Sequence, residues 1–277
     1  MKRTARKNGT KSKRIWLLGV FGVLIITTVL VVRFAPKQWQ QHIAQTQQTA
    51  ITPTPAKPTP SDFAAVAAAA RPSIVKIENE VCGYIVTGSG FIVGPGLIAT
   101  NAHVVGGVPH PQVYTEHGSF TGTTVAFDPN LDVAVIRVSE LAGKALPLDV
   151  PTADTNIDIQ GSHNNQPVVI LGFPGGAYAT TAATITAEYR AQMYDIYDKA
   201  IGETRNLFSL NQSIEHGNSG GPLLEADGRV VGIVFGTDPD VQHKGLALPT
   251  IDFAELILQS KNRTSPTDTQ TCAIPAS

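Results

Sequence analysis

Residues 217–222 of this 277-residue chain read GNSGGP, and this stretch constrains the fold more than any other. Small residues on both sides of Ser219 favour a tight turn that exposes the serine hydroxyl while backbone N–H groups converge beside it. Such a turn can present a nucleophile for acyl transfer. A glycine-rich hexapeptide can also be a turn and nothing more, so its meaning depends on the rest of the chain.

Two upstream segments supply the residue types that a serine nucleophile needs. His103 follows the apolar run 90–99, which predicts a strand, a turn and a second strand that ends at His103. Asp132 opens a β-branched strand. Asp128 is an alternative acid, but its Asp-Pro-Asn context is typical of a turn, and we therefore favour Asp132.

In the chain order His103, Asp132, Ser219, these segments resemble the trypsin-like (chymotrypsin-fold) serine proteases, and more narrowly the bacterial HtrA/Deg-type branch. The resemblance implies that Ser219 is the nucleophile, His103 the general base and Asp132 the acid that orients it. It also implies an oxyanion hole formed by the backbone N–H groups of Gly217 and Ser219. The resemblance runs from about residue 73 to about residue 253 and includes the motifs at 88–91, 171–176, 232–235 and 245–249.

The same resemblance places the substrate pocket. It puts the base of the pocket at Ser213, and its walls at His216, Phe235, Gly236 and Thr237. Because no acid stands at Ser213 to bind a basic side chain, we expect a small or medium apolar residue at the cleavage site. No spacing of His, Cys and carboxylate residues resembles a metal site, so neither a metal nor another cofactor is expected.

The pattern beyond residue 73 is that of an all-β protein, with short β-branched stretches broken by Gly, Pro, Asn and Asp. We predict two six-stranded antiparallel β-barrels, closed by a C-terminal helix over residues 252–258. Residues 61–277 would form the protease domain. HtrA-type proteases usually carry a PDZ domain, but too few residues follow Ser219 for one, and we expect it to be lacking.

The N-terminal region predicts a membrane anchor. Residues 1–14 hold seven basic residues and no acid, and residues 15–32 carry no charge. A cleaved signal peptide is the alternative, but the apolar run is longer than usual for one and lacks an A-x-A-like site. We therefore predict a basic cytoplasmic segment (1–14), a single transmembrane anchor (15–33) and an extracytoplasmic remainder in the periplasm or its equivalent. Residues 34–60, rich in Gln, Thr and Pro, predict a disordered linker.

Charge and compartment restrict the partners. From residue 61 onward the chain has 11 Lys and Arg against 22 Asp and Glu, a balance that argues against nucleic acid. The expected partners are protein or peptide substrates of the cell envelope, and the membrane through residues 15–33; the sequence leaves the oligomeric state open.

The chain has two cysteines, Cys82 and Cys272, and an oxidising exterior favours a bond between them. Similar envelope proteases with a cysteine pair in these relative places support the pairing by resemblance. The alternative is one buried thiol and one free thiol in a disordered tail.

Two classes of function remain. The leading hypothesis is a membrane-tethered serine endopeptidase. The alternative is a catalytically inactive scaffold of the same fold that binds peptides, but such a scaffold would not need all three triad residues together with the glycines of the oxyanion turn.

Overall fold

The computed structural model describes residues 60–150, 162–197, 201–238, 241 and 243–273. The predicted cytoplasmic segment, the anchor and all of the linker except Pro60 lie outside these residues. In the part of the chain that is described, no helix is both long enough and apolar enough to cross a membrane.

The described residues form thirteen β-strands and three α-helices. The helices are α1 (Pro60–Ala70), α2 (Ala102–Val105) and α3 (Thr250–Ser260). The strands are β1 (Ile74–Val81), β2 (Tyr84–Gly94), β3 (Leu97–Thr100), β4 (Gln112–Thr115), β5 (Gly118–Thr121), β6 (Thr123–Asp128), β7 (Val133–Arg137), β8 (Gln166–Gly172), β9 (Ala179–Tyr194), β10 (Ile201–Leu210), β11 (Pro222–Leu224), β12 (Val230–Thr237) and β13 (Gly245–Pro249).

The first sheet has seven antiparallel strands in the order β5-β4-β1-β2-β3-β7-β6, one more than predicted. The extra strand arises at Gly122, which separates β5 from β6. A side chain at this position would collide with Ile136, and the Gly122 N–H donates to Pro111 O at 2.8 Å. β5 and β6 are the two ends of the strand order, and only Gly122 separates them along the chain.

The second sheet has six antiparallel strands in the closed order β10-β13-β12-β11-β8-β9. Each sheet encloses its own apolar cluster, around Ile98 in the first and Phe208 in the second. A third cluster, which includes Phe91, Leu171 and Phe253, draws its side chains from both sheets and from α1 and α3. The predicted all-β architecture with two antiparallel sheets and a C-terminal helix is thus confirmed.

A disulfide between Cys82 and Cys272 ties the C-terminal tail to the first sheet, as predicted. The two Cα atoms lie 6.4 Å apart, across 190 residues of sequence. Next to the bond, the Gly107 N–H donates to Thr269 O at 2.9 Å. A Cβ at Gly107 would stand 2.9 Å from the Cys272 nitrogen, and φ is +75° there, so only glycine lets the tail approach this closely.

Reduction of the disulfide is expected to lower the free energy of unfolding, because cross-linking so long a loop restricts the unfolded chain by up to about 5 kcal/mol. Urea unfolding of the oxidised and reduced protein measures the change. The Cys272→Ser variant is the control, since its stability must not respond to reductant. Equal unfolding free energies with and without reductant in the unmodified protein would contradict this expectation.

Candidate active site

His103 lies in the short helix α2, immediately after β3. The sequence predicted a strand that ends at His103, but β3 ends at Thr100. The strand stops earlier because a helix begins at Ala102, with Asn101 as its N-cap residue. The Asn101 amide donates to Asp132 O at 2.7 Å, and the buried Thr100 hydroxyl donates to Ser89 O at 2.7 Å. The first of these bonds holds the start of α2 beside the residue that precedes β7.

Asp132 is the carboxylate that meets His103. Its Oδ2 lies 2.8 Å from His103 Nδ1, and its Oδ1 accepts the His103 backbone N–H at 2.9 Å. Asp128, the alternative acid, instead accepts the N–H groups of Asn130 and Leu131 at 2.9 Å each, the turn role that its context predicted. With Nδ1 donating to Asp132, the His103 Nε2 atom is left with a free lone pair to accept a proton.

The environment of His103 acts on its pKa in two directions. Burial favours the neutral ring and lowers the pKa, but the negative charge of Asp132 and the hydrogen bond to it outweigh burial. The pKa of His103 therefore lies above its ordinary value of 6.5.

The GNSGGP turn has the backbone that its glycines predict. Gly217 has φ +98° and Gly220 has φ +85°, and a side chain would collide with Phe173 O at the first and with Ser89 O at the second. The Ser219 Oγ donates to Phe235 O at 3.3 Å. Among the described residues, neither the N–H of Gly217 nor that of Ser219 donates to a protein acceptor.

Ser89, which the sequence showed only as part of a family motif, holds this turn in place. It is fully buried on β2; its N–H donates to Ser219 O at 2.8 Å and its hydroxyl to Gly217 O at 2.6 Å. The same hydroxyl accepts the Phe173 N–H at 2.9 Å. A serine inside the glycine-rich segment 88–90 was the available signal, since a polar side chain there needs buried partners.

These groups border one cleft of about 880 Å³. Of the predicted site residues, the cleft brings together His103, Asp132, Gly217, Ser219, His216, Phe235, Gly236 and Thr237. Ser213 is not among the lining residues, and Ile214 lies there instead. The Thr237 hydroxyl accepts the Ile214 N–H at 2.8 Å, so this bond fixes the segment one residue beyond the predicted position.

The sequence did not predict the far wall of the cleft. Residues 84–87, residues 193–196 and Arg205 line it together with Ala273 of the strapped tail. Tyr84, Ile85 and Tyr194 are exposed there at 63%, 74% and 58%, so the cleft has an apolar rim. Within the described residues, no group of three or more His, Cys, Asp and Glu side chains is placed to hold a metal ion.

Comparison with known proteins defines the class. A family described as trypsin-like peptidase domain matches residues 88–233. The chain is 35% identical over 210 residues to serine protease Rv3671c of Mycobacterium tuberculosis, covering 75% of this chain and 50% of that protein. It is 33% identical to a probable periplasmic serine endoprotease, DegP-like, of Chlamydia pneumoniae, covering 53% of this chain and 28% of that protein.

The solved structures agree. The crystal structure of the Rv3671c protease in its active form superposes with a TM-score of 0.70 at 33% identity, covering 81% of this chain and 98% of the other. The chain belongs to the trypsin-like serine peptidases of HtrA/Deg type, and its two sheets have the chymotrypsin-like fold. The chain spans about half the length, or less, of the curated relatives it matches.

The raised pKa of His103 predicts the acidic limb of the pH profile. kcat/KM for a peptide substrate should increase with pH along a limb centred above 6.5, because His103 accepts a proton only when it is neutral. Initial rates between roughly pH 5 and pH 9 measure the limb. His117→Gln, which changes an exposed histidine between β4 and β5, should leave the limb in place. A profile that is flat below pH 8 would contradict the role of His103 as base.

Ser89→Ala is expected to lower the free energy of unfolding by about 3 kcal/mol. The substitution leaves Gly217 O and the Phe173 N–H without a partner, and each unsatisfied buried group costs about 1–3 kcal/mol. Urea unfolding measures the loss. Ser119→Ala, which changes an exposed serine on β5, is the matched control and should alter the stability by less than about 0.5 kcal/mol. A Ser89→Ala variant as stable as this control would show that the bonds contribute little.

Proposed function

We propose that the protein is a serine endopeptidase that hydrolyses peptide bonds through an acyl-enzyme, with Ser219 as nucleophile, His103 as general base and Asp132 as the orienting acid. One observation carries the proposal: the His103–Asp132 pair, joined at 2.8 Å, borders the same cleft as the GNSGGP turn. Family membership supports it independently.

In the proposed reaction, the Ser219 hydroxyl leaves Phe235 O and turns to His103 Nε2, which takes its proton as Oγ attacks the scissile carbonyl. The backbone N–H groups of Gly217 and Ser219 stabilise the oxyanion of the tetrahedral intermediate. Imidazolium then protonates the leaving amine, and the acyl-enzyme forms as the C–N bond breaks. Water attacks the acyl-enzyme with the same base, and release of the carboxylic acid restores the Ser219 hydroxyl.

The walls of the cleft support a preference for a small or medium apolar side chain at the cleavage site. Ile214 and Phe235 contribute apolar surface beside Ser219, and Gly236 leaves space between them. Apolar surface beside the nucleophile favours such side chains, because their burial excludes water there and a charged side chain would lose its hydration.

We further propose that residues 15–33 anchor the protein in the membrane, that residues 34–60 are a linker and that the protease domain (61–277) works on envelope proteins outside the cytoplasm. The apolar run of residues 15–32 supports the anchor. The Cys82–Cys272 disulfide supports an oxidising compartment, and one relative is named periplasmic.

An inactive scaffold that binds peptides is the second candidate, and one observation favours it: the Ser219 hydroxyl donates to Phe235 O. If that bond persists, Ser219 is not activated. A fluorophosphonate probe separates the two candidates, because it reacts only with an activated serine.

Ser219→Ala is expected to lower peptide hydrolysis by more than about a thousandfold and to abolish labelling by the fluorophosphonate probe, since it removes the nucleophilic oxygen. His103→Ala should lose nearly as much, and the double variant should lose little more than either alone. Cleavage of a peptide library and mass spectrometry of the labelled chain provide the two readouts.

Ser213→Ala is the matched control, because it removes a serine hydroxyl six residues away that does not line the cleft. It should retain labelling. Hydrolysis that survives in purified Ser219→Ala would overturn the proposed mechanism, and failure of the unmodified protein to react with the probe would favour the scaffold.

A further inference from the structure

Arg205 is a buried cation that the proposed mechanism does not yet use. It lies on β10 with only 3% of its surface exposed, yet it borders the cleft that contains His103 and Asp132. Burial of a charge is costly unless its partners compensate, so a buried arginine beside an active site needs a reason.

The hydrogen bonds of Arg205 go to two backbone carbonyls. One Nη donates to Leu131 O at 3.1 Å and the other to Tyr194 O at 2.7 Å. Within the described part of the chain, Nε has no hydrogen-bond partner. The guanidinium thus joins the second sheet to the residue just before Asp132, and to the end of β9 at the rim of the cleft.

The bond to Leu131 O acts where the backbone is strained. Asp132 has φ +59°, a conformation that side-chain-bearing residues adopt at a cost. The peptide unit is planar, so the bond that holds the Leu131 carbonyl also fixes the orientation of the peptide plane that joins Leu131 to Asp132. On the other side, the Asn101 amide holds Asp132 O at 2.7 Å. Both peptide planes next to the carboxylate are therefore clamped, one from each sheet.

Several carboxylates lie close enough to Arg205 to act on its pKa. Burial lowers the pKa of the Arg205 guanidinium and outweighs the charges of Asp132, Asp128 and Asp252, which favour the cation. Asp128 is engaged in its turn, and Asp252 accepts the amide of Asn206 at 2.7 Å. Asp132 is the carboxylate among them that bonds His103. Glu78, Asp195, Glu215 and His216 also line the cleft.

We propose that Arg205 is a positioning residue: from the second sheet it holds the Leu131–Asp132 peptide so that the carboxylate meets His103. The proposal rests on the proposed protease function. In this proposal, an arginine of the second sheet aligns the acid–base pair, His103 and Asp132, which the first sheet carries.

The test compares Arg205→Met, Arg205→Lys and the control Arg190→Met in the full chain. Arg190 is an exposed arginine on β9 that pairs in register with Asn206, the neighbour of Arg205. For each variant, kcat and KM for a peptide substrate are measured across the pH range, together with the labelling rate by the fluorophosphonate probe and the near-ultraviolet circular dichroism.

We expect Arg205→Met to lower kcat by about 10- to 100-fold with KM changed by less than about threefold, because misplacement affects the chemical step. The acidic limb should also move to lower pH, since a misplaced Asp132 no longer raises the pKa of His103. Arg205→Lys keeps the charge but not the two-pronged donor, so its kcat should also fall, by at least about threefold, with KM changed by less than about threefold. Arg190→Met should match the unmodified protein in all respects.

A labelling rate and a kcat within twofold of the unmodified protein, with an unmoved limb, in Arg205→Met would overturn the proposal while leaving the protease function intact. If the unmodified protein does not react with the probe, the protease function itself fails. Should Arg205→Met not fold, Arg205→Lys decides: a threefold or larger loss of kcat with KM changed by less than about threefold supports the proposal, and any other result overturns it.

Discussion

The hydrogen bonds of Ser89 connect the two halves of the active site. Its N–H and hydroxyl hold the carbonyls of Ser219 and Gly217, and its own carbonyl accepts the Thr100 hydroxyl at the end of β3. The proposed base and acid are carried by the first sheet and the proposed nucleophile by the second, so their alignment depends on contacts between sheets. A single buried residue supplies three of those bonds, two through its hydroxyl to Gly217 O and from the Phe173 N–H and one through its own N–H to Ser219 O, so neither sheet could shift without leaving a polar group unsatisfied.

The charges around His103 determine how strongly it binds a proton. Asp132 raises the affinity of His103 for a proton, which makes the imidazole a stronger base, but the same effect keeps more of it protonated near neutral pH. In our proposal Arg205 acts on this pair through the backbone, because its guanidinium donates to Leu131 O next to Asp132. The strength of the base thus depends on a carboxylate of the first sheet whose backbone is held from the second. This arrangement needs both sheets to be assembled, which links base strength to tertiary structure.

Local sequence sufficed for the features that depend on local chemistry. The turn at Ser219 follows from glycines whose positions exclude side chains, and Asp128 could be set aside because Asp-Pro-Asn is a turn. Local sequence did not predict the features that depend on contacts between residues far apart in the chain. β3 ends before His103 because a helix begins after Asn101, whose amide bonds Asp132 O across 31 residues of sequence. Ile214, held by Thr237, lines the cleft in place of Ser213, and Arg205 gives no sign in its own strand that it bonds a loop of the other sheet.

The disulfide has a topological consequence. Of the described strands, β1 alone lies outside the covalent ring that runs from Cys82 to Cys272, and His103, Asp132 and Ser219 all lie within it. One proteolytic nick anywhere in that ring, including a nick made by another copy of the same enzyme, leaves the two fragments attached to each other. A mechanical pull on the N-terminal side can peel away α1 and β1, but at Cys82 the force passes through the sulfur bridge to the tail instead of into the strands that hold the catalytic residues.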